Sequence, residues 1–335
     1  MSIYTRYEPH RKKKSKGPWV IFFLLCILFF LGYTYRKEIY FLFAKDQSVR
    51  AEKTKEKIIE LWKSQNLKEK DIEDFQSIAQ TYSEKDPKDP VAFHLISRSL
   101  FWTLYNLGIH FDASSLILHL GSDFSEMIGQ SQLADSTLDK MFWSARKSEA
   151  LTNSDYTDFE NNRLLLFLCE THRSVKRPSA LISEYGNIKT DSLSPELLPV
   201  YFWLLTYNTM QAGDAQGLEK IIASSKDPNF KGGIQFSPRE ENFLLGLGKF
   251  YKKDYVGALS LLRSVKTNIP DRITETAILT EATIFHLQNL TQKGIDLLEE
   301  YYNETGKKNS EIPNIIKKMI LERPSAKTKI ILGTE

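Results

Sequence analysis

Cysteine is nearly absent from this chain, with two in 335 residues. Cys26 lies in an apolar run and Cys169 in the body, so no disulfide can form within the body. The spacing of cysteines therefore says nothing about redox compartment, and Cys169, in the run Leu164–Cys169, reads as a small buried hydrophobe. Recognisable chemistry is equally scarce. No GxSxG, P-loop or dinucleotide fingerprint occurs, and the body histidines His94, His110, His119, His172 and His286 fall into no metal-ligand spacing such as HExxH. His110 and His119 flank Asp112, but nine residues of separation in an apolar helical stretch reads as coincidence. Ser144-Ala145-Arg146-Lys147 matches S-x-x-K, but the partner motifs S-D-N and K-T-G are missing. These absences lead us to expect no catalytic residue, no cofactor and no metal. Alternating period-two strands are missing as well, which leaves an all-α body.

The charge is unevenly spread. The overall formal charge is +3, yet residues 1–43 hold eight Lys/Arg against Glu8 and Glu38, leaving 37 basic and 40 acidic residues downstream. A slightly acidic body offers no electrostatic footprint for nucleic acid. The basic tail belongs instead to the run from Trp19 to Leu31, WVIFFLLCILFFL, which carries no charge and stays apolar through Gly32–Tyr35. Residues 18–35 read as a transmembrane signal anchor in the lipid bilayer, with a helix that continues as far as 43. Tyr33 and Tyr35 suit the interface, and Gly32-Tyr33-Thr34-Tyr35 supplies no small-x-small cleavage site. Six Lys/Arg precede the run and four follow it, so the positive-inside rule puts residues 1–17 in the cytoplasm. The expected location is single-pass in an inner or plasma membrane, with the body outside the cytoplasm.

Beyond the anchor, 44–85 reads as charged juxtamembrane helices, punctuated by Asp86-Pro87 and Asp89-Pro90. From 86 to 305 helical patterns alternate with short breaks, and 306–335 is expected to form a C-terminal helix and tail. Ser237-Pro238-Arg239-Glu240 carries the signature of a capped helix start, and Ser194-Pro195-Glu196 begins in the same way.

Second helices of successive hairpins share a pattern of a small residue, then an aliphatic one, with more aliphatics three to five positions on. It appears at Gly217-Leu218…Ile221-Ile222, at Ala258-Leu259…Leu261-Leu262 and at Gly294-Ile295…Leu297-Leu298, 41 and 36 residues apart. A small residue there lets two helices approach, and a hairpin recurring at such a period is the mark of an α-solenoid. In these residues the chain resembles the tetratricopeptide repeat (TPR) family. Leu245-Gly246, Ala258, Leu262, Val265 and Pro270 fit its positions, as do Ala282, Phe285, Gly294, Leu298 and Tyr301 in the next hairpin. Asn242 and Lys249 stand where the family has large aromatics, and both periods exceed its usual repeat length. The match covers Arg239–Tyr301 and is degenerate over Leu197–Ser225.

The apolar run and the resemblance together lead us to expect an N-terminal transmembrane helix followed by a TPR-like α-solenoid of antiparallel hairpins. It also implies a groove lined by the first helix of each hairpin, formed by Phe243, Leu247, Phe250, Tyr251, Thr283 and His286. The plainer alternative is that these side chains pack between helices. The expected function is a membrane-anchored scaffold or adaptor of the cell envelope that binds a protein or peptide partner. Its rivals are an envelope enzyme on a helical scaffold, for example one acting on cell-wall glycan, and a purely structural subunit.

Overall fold

A computed structural model describes residues 27, 33, 36–119, 132–152, 158–227, 234–306 and 311–330, the side chains of 36–45 and 119 excepted. The expected anchor over 18–35 lies almost wholly outside the described residues. Among the described residues no helix is long and apolar enough to cross a membrane. They contain fourteen α-helices and no strand, so the body is all-α.

In chain order the helices are α1 (Arg36–Lys63), α2 (Glu69–Lys85), α3 (Pro90–Asn106), α4 (Ala113–His119) and α5 (Gln132–Leu151). Then come α6 (Phe159–Arg173), α7 (Pro178–Tyr185), α8 (Leu198–Gln211), α9 (Ala215–Ser225) and α10 (Pro238–Tyr251). The last four are α11 (Tyr255–Ser264), α12 (Arg272–Leu287), α13 (Thr291–Glu304) and α14 (Glu311–Glu322). Packing follows chain order. Most neighbours pair as hairpins, α3 packs instead on α5 across the short α4, and α6, α8, α10 and α12 each pack on the next.

One turn geometry ends five of these helices. Gln65, Gly108, Gly213, Lys253 and Asn289 each hold positive φ just past a helix end. In each case the amide of the following residue donates to a carbonyl five residues back: Asn66 to Leu61, Ile109 to Leu104, Asp214 to Thr209, Asp254 to Lys249 and Leu290 to Phe285, at 2.8–3.2 Å. This left-handed closure satisfies the carbonyls a helix C-terminus leaves open and turns the chain straight into the next helix. Asp214 and Asp254 then cap that next helix, each carboxylate accepting from the amide three residues on at 3.0 Å. Of the five, Gly213 is the most tightly hemmed in: a Cβ there meets the Lys252 backbone nitrogen at 2.9 Å.

Small residues set the hairpin spacing. A Cβ on Gly246 meets Leu262 Cγ and Cδ2 at 3.0 Å, and one on Gly294 meets the Ala282 carbonyl oxygen at 2.8 Å. Ala258 and Leu262 are fully buried. The apolar core runs without interruption from Ala51 through Ile284, so α1 and α2 share a core with the helices after residue 86. A smaller cluster from Ile278 to Ala326 joins α12, α13 and α14.

The helix starts divide. Ser237 Oγ accepts from the Glu240 amide while Glu240 accepts from the Ser237 amide at 2.7 Å, the reciprocal box its sequence predicts. At Ser194-Pro195-Glu196 the same signature does not open a helix. There α8 begins only at Leu198: the position three on from Ser194 is Leu197, Pro199 has no amide to carry the helix back another turn, and Glu196 pairs with Arg98 in the core.

Candidate partner-binding surface

The six residues expected to line a groove separate into three groups. Phe243 and Leu247 are 0% and 3% exposed and pack in the core of the α10 hairpin, where they offer no surface to a partner. The physical reason is register: α10 is wedged between α8, α9, α11 and α12, so its apolar stripe is covered on several sides. Phe250 and Tyr251 are half-buried at the closed end of the α10–α11 hairpin. Their rings lie 5.4 Å apart, with Tyr255 6.3 Å from Phe250. Thr283 is half-buried on α12, its hydroxyl donating to the Leu279 carbonyl oxygen at 2.8 Å. His286 is spent on structure. Its Nδ1 pairs with Thr291 Oγ1 at 3.1 Å and its Nε2 with Glu322 at 2.8 Å, which ties α12 to α13 and α14.

Sequence reasoning read the stretch of the short helix α4 only as apolar and helical and missed where it packs. It leaves the α3 hairpin and lies against both α8 and α12. Phe111 meets Trp203 edge-to-face at 5.5 Å, Trp203 Nε1 donates to Ser115 Oγ at 2.9 Å, and Arg272 Nε donates to the Leu118 carbonyl oxygen at 3.2 Å. Leu116 is fully buried beneath it. Asp112 caps α4, its Oδ1 accepting from the Ser115 amide at 2.7 Å. That cap, in Asp112-x-x-Ser115 ahead of Leu116-Ile117, was the available signal. His110 is exposed and meets Tyr105 edge-to-face, 4.7 Å between ring centroids.

A second constellation is polar and buried. Arg98 and Glu196, both side chains fully buried, form an ion pair across 98 residues of chain. Close by in sequence, Arg98 donates to Ser194 Oγ at 3.2 Å, and the Ser194 amide donates to Asn161. Asn161 in turn donates to Asp158 at 3.0 Å, and Lys55 reaches Asp158 at 3.1 Å. His94, fully buried, stands 3.8 Å from Asp158. Burial pushes the His94 imidazole down to about 3 against the pull of Asp158, so it stays neutral. Burial acts to raise the Asp158 carboxyl, but it is outweighed by the charge His94 would carry if protonated, by the charges of Lys55 and Arg98 and by the Lys55 hydrogen bond, which together hold it well below the usual carboxylate range. Each acid is thus matched by a cation. This arrangement cross-links α1, α3, α6 and the approach to α8, and it gives no pair of free carboxylates in a cleft.

Elsewhere the reactive groups are quiet. Cys169 is 1% exposed with its thiol pushed up by burial, and Lys147 of the S-x-x-K pattern sits 4.0 Å over the Phe93 ring. Among the described residues no group of His, Cys, Asp and Glu is placed to hold a metal ion. No protein-family model, curated protein or solved structure matches the chain.

Proposed function

We propose that this protein is a membrane-anchored interaction scaffold of the cell envelope. On this reading the segment over 18–35 spans the bilayer, and the body is a TPR-like α-solenoid that holds a protein or peptide partner. The observation that carries the reading is the stacking of α6, α8, α10 and α12 on one another, with the hairpins of α8, α10 and α12 closed by a common turn. Repeated hairpins of this kind create extended faces that suit recognition of other chains. The short helix α4, laid across α8 and α12 by Phe111, Ser115 and Leu118, supports it further as an example of a helix taken up by those elements. Of the six groove residues, Phe250, Tyr251 and Thr283 remain partly exposed and are the ones we assign to partner contact. The glycan-cleaving alternative needs unpaired acids in an open cleft, and Asp158 and Glu196 are both buried and ion-paired.

The test places a photo-crosslinking residue at Tyr251, at Thr283 and, as a control, at Val175, which is 80% exposed on another part of the body. The full chain is irradiated in its native membrane. One common adduct from positions 251 and 283, absent from 175, supports the scaffold. Equal labelling from all three positions, or none at 251 and 283, overturns it. A reporter fused after Glu335 tests orientation separately, and activity in the cytoplasm excludes the proposed compartment.

A further inference from the structure

Beyond α14 the chain returns across α13 without forming a helix. Gln292, Asp296 and Glu299 stand at i, i+4 and i+7 of α13, so they share one stripe of that helix. The Gln292 side-chain amide clamps the backbone of Lys327. Its Nε2 donates to the Lys327 carbonyl oxygen at 3.0 Å, and its Oε1 accepts from the Lys327 amide at 2.9 Å. The second Nε2 hydrogen goes to Asp296 Oδ1 at 2.9 Å, so Asp296 fixes which way the amide lies. One turn on, Glu299 Oε1 accepts from both the Thr328 hydroxyl and the Lys329 amide.

A helix face that pairs with a backbone, a hydroxyl and a charge pattern has the elements of a peptide site. Glu299 is only 6% exposed beneath the strap, and no cation pairs with it among the described residues. Lys327 and Lys329 are exposed beside this acidic stripe and likewise hold no ion pair among the described residues. Ala326 is buried at one end of the strap and Ile330 half-buried at the other, both against the α12–α14 cluster. The rest of the hold is hydrogen bonding, in part from the exposed Gln292. Releasing residues 326–330 unravels no helix, and a segment with so few buried apolar contacts opens at low free energy.

We propose that this stripe of α13 is a binding site for a non-helical segment of another protein that carries a Ser or Thr between two lysines, and that residues 326–330 occupy it in cis as a competitor. Gln292 holds the backbone of the first lysine, and Glu299 takes the hydroxyl and the next amide. The lysines suit Asp296 and the uncompensated charge of Glu299. None of Phe250, Tyr251 or Thr283 takes part, so the test of this site is separate from that of the scaffold reading.

Fluorescence anisotropy with the full detergent-solubilised chain tests this, using a labelled, end-capped peptide of the strap's own sequence, Ser-Ala-Lys-Thr-Lys-Ile. Lys327→Pro combined with Thr328→Val removes the amide given to Gln292 and the hydroxyl given to Glu299, and opens the site without shortening the chain. The peptide is expected to bind the opened chain saturably. Wild type should bind it at least tenfold more weakly, because a tethered competitor acts at high effective concentration. Adding Gln292→Ala, at an exposed position, should weaken binding to the opened chain about tenfold through the two backbone hydrogen bonds lost. A peptide carrying the same proline and valine should bind at least tenfold more weakly than the native one. At saturating peptide, hydrogen exchange at the Lys327 and Lys329 amides of wild type should quicken, which keeps the test informative if the double variant misfolds. No binding to the opened chain, binding indifferent to Gln292 and to the peptide's substitutions, or equal binding by wild type overturns the proposal. A wild-type dimer that forms with rising concentration and is lost in Gln292→Ala would give the site to the strap of a second copy and remove the assignment to another protein.

Discussion

The region from α1 to α8 and the hairpins from α10 to α13 are both helical, but they are held together differently. In the first, contacts that decide the packing join residues far apart in sequence: Arg98 to Glu196, Lys55 to Asp158, Trp203 to Ser115. In the second, the closest contacts lie within a hairpin, where Gly246 faces Leu262 and Gly294 faces Ala282. Polar contacts there are shorter in reach and more exposed, as in Arg239 with Asp271 and Lys249 with Asp254. The lesson is that a local, apolar and small-residue interface repeats along a chain, whereas a buried charge network is made once.

The largest effect that separates the two regions is expected at Arg98. Arg98→Met leaves the fully buried Glu196 carboxylate without its cation, at a cost of about 3–5 kcal/mol. Adding Glu196→Met should restore most of it, because two well-packed apolar side chains substitute for a buried pair. Urea melts of the single and double variants check this, and a single variant as stable as wild type removes the network from the argument.

In the second region Leu262→Ala should cost about 2–5 kcal/mol through the cavity it opens beneath Gly246. Ala258→Leu should cost about 1–3 kcal/mol by overpacking the same hairpin. Phe250→Ala, at a half-buried position, should cost less than Leu262→Ala. Thermal melts showing the reverse order for Phe250 and Leu262 would break the assignment of a local hairpin core.

Acid sharpens the comparison further. His94 holds its folded pKa near 3 against an ordinary 6.5, so below pH 6.5 the unfolded chain takes up a proton that the folded chain refuses. Stability therefore falls as pH drops from about 6.5 toward 3. The depressed carboxyl of Asp158 adds to the loss once pH falls below its ordinary 3.8. His94→Gln should flatten the melting-temperature profile between pH 6.5 and 4, and an unchanged slope would show that His94 does not set it.

The smallest effect concerns the shared turn. Gly213→Ala places a Cβ 2.9 Å from the Lys252 nitrogen in a left-handed conformation and should cost about 1–2 kcal/mol. Lys253→Gly relieves strain at the equivalent turn while freeing the unfolded chain, so its net effect should be within about 1 kcal/mol of zero. Melting curves of the two variants test whether one turn geometry carries two different constraints.

The sequence by itself determined that the body is helical, that Ser237 starts α10, and that Gly246, Ala258 and Leu262 belong to one hairpin. Each of those depends on neighbours within one or two turns of helix or on the facing helix a short loop away, and local periodicity records such contacts. Tertiary structure alone decided that Phe243 and Leu247 are covered, because their exposure depends on α8, α9 and α12 closing around α10. It alone brought Glu196 into the core to meet Arg98, and carried α4 across to Trp203 and Arg272. The same holds for the strap on α13, where Gln292 meets Lys327 and Glu299 meets Lys329. Burial and charge pairing are properties of what surrounds a side chain, and when those surroundings come from distant segments no spacing along the chain encodes them.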